Sequence, residues 1–189
     1  TMIKYDLEPE IYSINRLQQF CEIVRSVKLN KQYPIHIKID TGMHRLGFSL
    51  DEIDTLIKIL IENKDIIKVS SIFSHLACAD DPNKDEFTQL QISRLQKVAK
   101  TIEDSLNYKI TRHILNSWGI MRFPESQMEM VRLGIGLYGT EPELIQKMNL
   151  ETALRLRTIV SQIRYIPKGD GLGYGQTWIA KQDSKIAIL

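Results

Sequence analysis

The feature that most constrains this chain is a set of short apolar runs set apart by amphipathic stretches. The runs lie at 9–12, 35–39, 69–73 and 111–115, opening at intervals of 26 to 42 residues. Between them the apolar residues recur at helical spacing. Residues 13–28 place Ile14, Leu17, Phe20, Cys21, Val24 and Val27 on one face, with Ser13 as the N-cap. Residues 50–63 do the same with Ile53, Leu56, Ile57, Leu60 and Ile61, and Ser49 and Glu52 have capping-box spacing. A third helix is predicted to start at Asp81 as cap and Pro82 at the first position, running through Phe87, Leu90, Leu95, Val98, Ala99 and Ile102. A fourth, at 141–149, is short. Strand alternating with helix at this spacing predicts an α/β fold with a parallel sheet, and a fifth strand is expected near 129–133.

The pattern changes after Leu150. Residues 154–166 alternate apolar and polar, and a Pro-Lys-Gly-Asp-Gly turn follows at 167–171, which predicts antiparallel β structure. Two domains are therefore expected, 1–149 and 150–189.

A net charge of +2 leaves no electrostatic footprint for nucleic acid. No apolar run reaches the roughly 18 residues of a membrane span, and no metal-ligand spacing is visible. Two cysteines, Cys21 and Cys78, do not make a disulfide framework, and Cys21 on an apolar helix face reads as a buried thiol in a reducing, cytoplasmic setting. The chain opens on Thr1-Met2 and closes on an apolar run at Leu189, and is expected to be a fragment.

In parallel α/β proteins ligands gather at the carboxyl ends of the strands. Side chains alternate along a strand, so Ile35, Ile37 and Ile39 face one way and His36, Lys38 and Asp40 the other. The first such end carries Lys38, Asp40, Thr41 and Arg45; the next, Ser74, His75 and Asp80; the third, Asn116 and Ser117; the last, Arg132 before Gly134-Ile135-Gly136. Taken singly, each has a plain structural role. Lys38 can pair with Asp40, Arg132 with Glu129, and the glycines can make a tight turn. Polar groups at four strand ends in succession favour a site.

Five ordered segments identify that site by resemblance. Ile37-Lys38-Ile39-Asp40-Thr41-Gly42-Met43-His44-Arg45-Leu46-Gly47-Phe48 resembles the signature strand and turn of pyridoxal-phosphate-dependent alanine racemases. Phe73-Ser74-His75-Leu76-Ala77-Cys78-Ala79-Asp80, His113-Ile114-Leu115-Asn116-Ser117, Met130 through Gly139 and Gly173-Tyr174-Gly175 follow in the family's order. The resemblance implies part of a (β/α)8 barrel, about its last half, followed by the first strands of an antiparallel domain. It further implies the interconversion of L- and D-alanine for peptidoglycan synthesis, with pyridoxal 5'-phosphate as cofactor, a small amino-acid substrate, and a homodimer.

Residue roles follow from the same resemblance. Arg132 would donate to the pyridine nitrogen, with His75 beside it. Ser117 and the backbone N–H groups of Gly134 and Ile135 would hold the phosphate. Arg45 would contact cofactor and substrate, and Lys38 would be carbamylated to orient Arg45. Tyr174 would act as acid/base in the other subunit's site. Asp40 reads as structural. Two departures stand out: His44 replaces the glycine usual before the arginine, and Trp118 follows Asn-Ser in place of a small residue. The family's cofactor-bearing lysine, in a Lys-Ala-Asn-Ala-Tyr-Gly-like motif, does not occur in this sequence. The chain alone is therefore expected to be inactive. A serine or broad-specificity racemase of the same fold, or a non-catalytic pyridoxal-phosphate homeostasis barrel, are the alternatives; the alternating stretch and Tyr174 argue against the second.

Overall fold

The computed structural model describes residues 2–27 and 29–189. Its contacts divide the chain into two units, Thr1–Ala153 and Leu154–Leu189.

The first unit is built on four parallel strands, β1 (Glu10–Ile11), β2 (Tyr33–Lys38), β3 (Ile67–Phe73) and β4 (Thr111–His113), in that order across the sheet. Ile35, Ile37 and Ile39 are almost wholly buried, as the alternation predicts. They pack in one apolar cluster with Leu17, Cys21 and Val24 of α1 (Ile14–Val27), Leu56 and Leu60 of α2 (Ile53–Glu62), and Leu95, Ala99 and Ile102 of α3 (Asp85–Leu106). Burial raises the Cys21 thiol to about 11, so it packs as an inert apolar group.

Local chemistry sets the helix ends. The Asn83 N–H donates to the Asp81 carboxylate at 2.9 Å, capping a single 3-10 turn, Pro82–Lys84, that leads into α3. Glu52 Oε2 accepts from the Ser49 N–H and hydroxyl at 2.8 and 2.9 Å. The α3–β4 connection is held by buried Glu103, which accepts the Ile110 N–H at 2.9 Å. Sequence periodicity did not reveal α4 (Ser117–Arg122), whose first turn is capped by the Asn116 side chain accepting from the Gly119 N–H at 2.9 Å. The weak helix at 141–149 forms as α5 (Pro142–Met148).

One irregularity redirects a face. Ile35 pairs with Val69, but His36 pairs with Ser71, so Ser70 is an extra residue in β3. This bulge flips the alternation. Val69 lies on the helix-covered face, and beyond the bulge Ser71 and Phe73 lie with His36 and Lys38 on the other.

Two expected strands are corrected. Residues 129–133 form no strand. The Arg112 N–H, which a fifth strand would take, donates to the Glu129 carboxylate at 2.9 Å, with the Arg112 Nε also at 2.9 Å. That side-chain pair replaces the ladder, and it holds the Glu129 carboxyl down at about 2. A single backbone bond, Arg132 N–H to Leu115 carbonyl at 3.0 Å, keeps the segment beside the end of β4.

In the second unit, 154–161 has neither helix nor strand, and Leu156 and Ile159 are 96% and 82% exposed. Within that stretch only β5 (Gln162–Ile166) forms the predicted antiparallel strand, paired with β8 (Ser184–Ile188). A short hairpin pairs β6 (Gly171–Leu172) with β7 (Trp178–Ile179). Alternation states which side chains share a face; it does not supply a pairing partner.

Candidate active site

The turn after β2 is built by Asp40. Its Oδ1 accepts the N–H groups of Gly42 and His44 at 2.9 and 3.1 Å, and Oδ2 lies 3.4 Å from His44 Nδ1. Burial opposes ionisation of this carboxyl, but the backbone donors outweigh it and hold it below its ordinary value. The excursion closes where the Asp40 N–H donates to the Phe48 carbonyl and the Phe48 N–H to the Lys38 carbonyl, both at 2.9 Å. His44 sits at φ +53°, a left-handed conformation that glycine adopts without strain. The Asp40 contact offsets that cost. Arg45, on the same turn, is exposed and makes no side-chain hydrogen bond among the described residues.

Lys38 does not pair with Asp40. Its ammonium lies 2.9 Å from Glu10 Oε1, and 5.4 Å from the centre of the Phe73 ring. Glu10 neighbours His36 across the β1–β2 ladder, and that is why it can reach one residue pair further along.

The loop after β3 is pinned from α3. Buried Gln91 donates to the His75 carbonyl at 3.0 Å and accepts the Ala77 N–H at 2.9 Å. Thr41 and Ser74 share a hydroxyl hydrogen bond at 2.7 Å, and Arg94 donates to the Thr41 carbonyl at 2.9 Å. These contacts bring the two strand-end loops together.

Arg132 occupies the centre. Its guanidinium donates to His113 Nδ1 and to the carbonyls of Ser74, His113 and Ile114. One nitrogen lies 3.3 Å from His75 Nδ1, and the group lies 5.1 Å from the centre of the Phe73 ring. No carboxylate pairs with it among the described residues; Glu129 is taken by Arg112. His113 is buried and stacks on Phe73, centroids 4.8 Å apart at 10°. Burial first, then the charge of Arg132 and the nearness of His36, bring His113 down to about 4. Burial and the cations Arg132, Arg45 and Lys38 lower His75 as well. A donor-only guanidinium thus stands between two imidazoles held neutral at ordinary pH.

That has a measurable consequence. The unfolded His113 takes up a proton near pH 6.5, whereas the folded one refuses it until about 4. Its contribution to stability is therefore fully present above pH 6.5 and lost as the pH falls through 4. The loss is at most about 3 kcal/mol. Urea midpoints between pH 7.5 and 4.5 are expected to drop steeply for the native chain, and less for His113→Gln. Equal slopes would refute the assignment.

Beside this cluster the N–H groups of Gly134 and Gly136 both donate to Ser117 Oγ at 3.0 Å. The Ile135 N–H, expected with Gly134 to face a phosphate, makes no hydrogen bond among the described residues, whereas the Gly134 N–H is taken by Ser117. A Cβ on Gly136 would come within 3.1 Å of Leu133 and 3.3 Å of Ser117, so the glycine keeps the cradle open.

Tyr174 lies in the second unit, fully exposed in a 3-10 turn (Tyr174–Gln176) preceded by Gly173 at φ +71° and containing Gly175 at φ +69°. Lys147 approaches the Trp118 ring at 5.9 Å. Sequence reasoning assigned no role to His113, Ser71 or Gln91. Of these only His113 left a signal, as a polar residue at a strand end.

The family profile "Alanine racemase, N-terminal domain" matches residues 1–142, and "Alanine racemase, C-terminal domain" matches 153–189. The chain is 36% identical to the alanine racemase of Methanococcus maripaludis over all of its own length and 50% of that protein. It is similar to the solved alanine racemase of Clostridium difficile 630 at TM-score 0.77 and 28% identity, covering 98% of this chain and 48% of that one. A Bartonella henselae alanine racemase, solved with covalently bound pyridoxal phosphate, matches at TM-score 0.67 and 25% identity, covering 98% of this chain and 49% of that one. The chain spans about half the length of the curated relatives it matches. The shared fold is part of a (β/α)8 barrel followed by antiparallel strands of a second domain.

Proposed function

The chain belongs to the alanine racemase family, and from that premise we propose that it supplies cofactor-binding and proton-transfer residues of an enzyme interconverting L- and D-alanine. The observation that carries this reading is Arg132, a cation with no carboxylate partner among the described residues, held between two neutral imidazoles at the strand ends.

The residues present fit pyridoxal 5'-phosphate. Ser117 Oγ accepts the Gly134 and Gly136 N–H groups, which leaves its own O–H, and the Ile135 N–H beside it, as the donors suited to a phosphate. Arg132 would face the ring nitrogen. Bound there, the cofactor supplies the electron sink that makes the substrate Cα–H acidic. Arg132 donates a hydrogen bond but keeps its proton, because a guanidinium does not deprotonate in proteins. It would therefore leave the ring nitrogen uncharged, which would favour return of a proton to carbon. Neutral His75 keeps a second positive charge away from Arg132. Arg45, exposed and unengaged by other side chains among the described residues, is placed to meet a carboxylate. Tyr174 would hold and deliver the proton on one face of the substrate carbon, in the partner subunit's site of a homodimer. Carbamylation of Lys38 would place an anion next to Glu10, so that modification and the observed ion pair exclude one another. In a cell, the product would be D-alanine for peptidoglycan, made in the cytoplasm.

Pyridoxal phosphate is expected to bind the chain, by equilibrium dialysis, at least tenfold more tightly than it binds Ser117→Asp, whose carboxylate repels the phosphate. The protein carrying this chain is expected to exchange the Cα proton of L-alanine in D2O faster than that of L-serine. Absence of wild-type binding would sink the cofactor assignment. Faster exchange with serine would move the substrate.

A further inference from the structure

Arg132 is the first member of a hydrogen-bonded chain that crosses the open face of the sheet. His113 Nδ1 accepts from Arg132, and His113 Nε2 lies 3.1 Å from Ser71 Oγ. Ser71 Oγ lies 2.7 Å from His36 Nδ1, and His36 Nε2 lies 2.7 Å from Glu8 Oε2. With each imidazole carrying a single proton, the two ends determine the direction of every link. A guanidinium only donates and an ionised carboxylate only accepts. His113 must therefore carry its proton on Nε2 and donate to Ser71. The Ser71 hydroxyl must then donate to His36 Nδ1, and His36 must carry its proton on Nε2 and donate to Glu8.

We infer that Ser71 and His36 are positioning residues, which lock His113 in its Nε2–H tautomer and through it hold the Arg132 guanidinium. Three observations support this. Ser71 is 2% exposed, so no solvent competes for its hydroxyl. The bulge at Ser70 is what turns Ser71 onto the face shared with His36. Phe73 stacks on the His113 ring and blocks its rotation, leaving the tautomer as its remaining freedom. Chains closed by opposite charges polarise each link in the same sense, which strengthens all of them. The catalytic importance of the relay rests on the proposed role of Arg132; its existence does not.

The test uses the full chain with 15N-labelled histidine, which contains only His36, His44, His75 and His113. Long-range 15N–1H correlation is expected to show Nε2 protonated and Nδ1 bare for both His113 and His36. Ser71→Ala should accelerate exchange of the His113 ring N–H at least tenfold and leave His36 averaging between tautomers. Ser71→Thr, which restores the hydroxyl, should reverse both changes. In the protein carrying this chain, Ser71→Ala should lower kcat about tenfold with KM little altered. A native His36 protonated on Nδ1, or ring exchange unmoved by Ser71→Ala, would overturn the relay. Correct tautomers together with an Arg132 variant that binds pyridoxal phosphate and racemises normally would overturn the reading of the site and leave the relay standing.

Discussion

Arg132→Met is expected to abolish racemisation and to weaken the fold at the same time. Methionine keeps an unbranched stem against the Phe73 ring but removes every donor. His113 Nδ1 and the carbonyls of Ser74, His113 and Ile114 then lose their partner at once. A buried acceptor left unpaired costs about 1–3 kcal/mol. Some of these carbonyls have other bonds, Ser74 N–H to the His113 carbonyl among them, so the net loss is about 3 kcal/mol of unfolding free energy, measured by urea denaturation. The catalytic loss is larger, at about a hundredfold to a thousandfold, the usual effect of removing a preorganised donor from a site of developing charge. Arg132→Lys separates the two effects. Lysine retains charge yet cannot span the several acceptors that the planar fork reaches. It is expected to recover most of the stability and little of the turnover. A lysine variant with native turnover would show that charge alone is what the site requires.

Gly47→Ala is the second large effect, and it acts on the backbone. Gly47 sits at φ +131°, and a Cβ there would lie 2.6 Å from the Asp40 nitrogen and 2.8 Å from the Ile39 carbonyl carbon. Neither atom belongs to a flexible side chain that could move aside. Relief requires breaking the Asp40–Phe48 and Phe48–Lys38 hydrogen bonds that close the turn. Disallowed φ and forced overpacking each cost about 1–3 kcal/mol, so the sum is about 4 kcal/mol. Because the turn carries Arg45 and abuts Lys38, cofactor binding should weaken as well. Gly169→Ala is the control, with φ +95° but nothing within 4 Å of the added carbon. It should cost only the conformational part. Equal midpoints for the two variants would show that the 40–48 turn yields more easily than its contacts imply.

Much of the fold could be read in advance because it is local. Whether Ile35 or His36 faces the helices depends on a period of two, and whether Asp81 caps a helix depends on an atom two residues away. The corrections concern partners distant in sequence. Glu129 was free on paper to pair with Arg132, and residues 129–133 had the composition of a strand. Arg112 claimed that carboxylate with its backbone and side chain together, so the alternative pairing and the expected strand both fell for one reason. Lys38 followed the same pattern: its nearest acid in sequence, Asp40, was committed to the turn, and Glu10 reached it across the β1–β2 ladder.

By itself the sequence determined the alternation of β1 to β4 with α1 to α3, the buried faces of those helices and of β2, the caps at Ser49 and Asp81, and the family motifs that carry Lys38, Arg45, His75, Ser117, Arg132 and Tyr174. Only the tertiary structure decided which polar groups of the first unit meet. Ser71 lies between two histidines because one extra residue in β3 reverses the alternation, and His113 is neutral because burial and Arg132 act on it together. Periodicity is a property of neighbours along the chain, whereas register, bulges and the competition for a donor are settled only when strands some thirty to forty residues apart lie side by side.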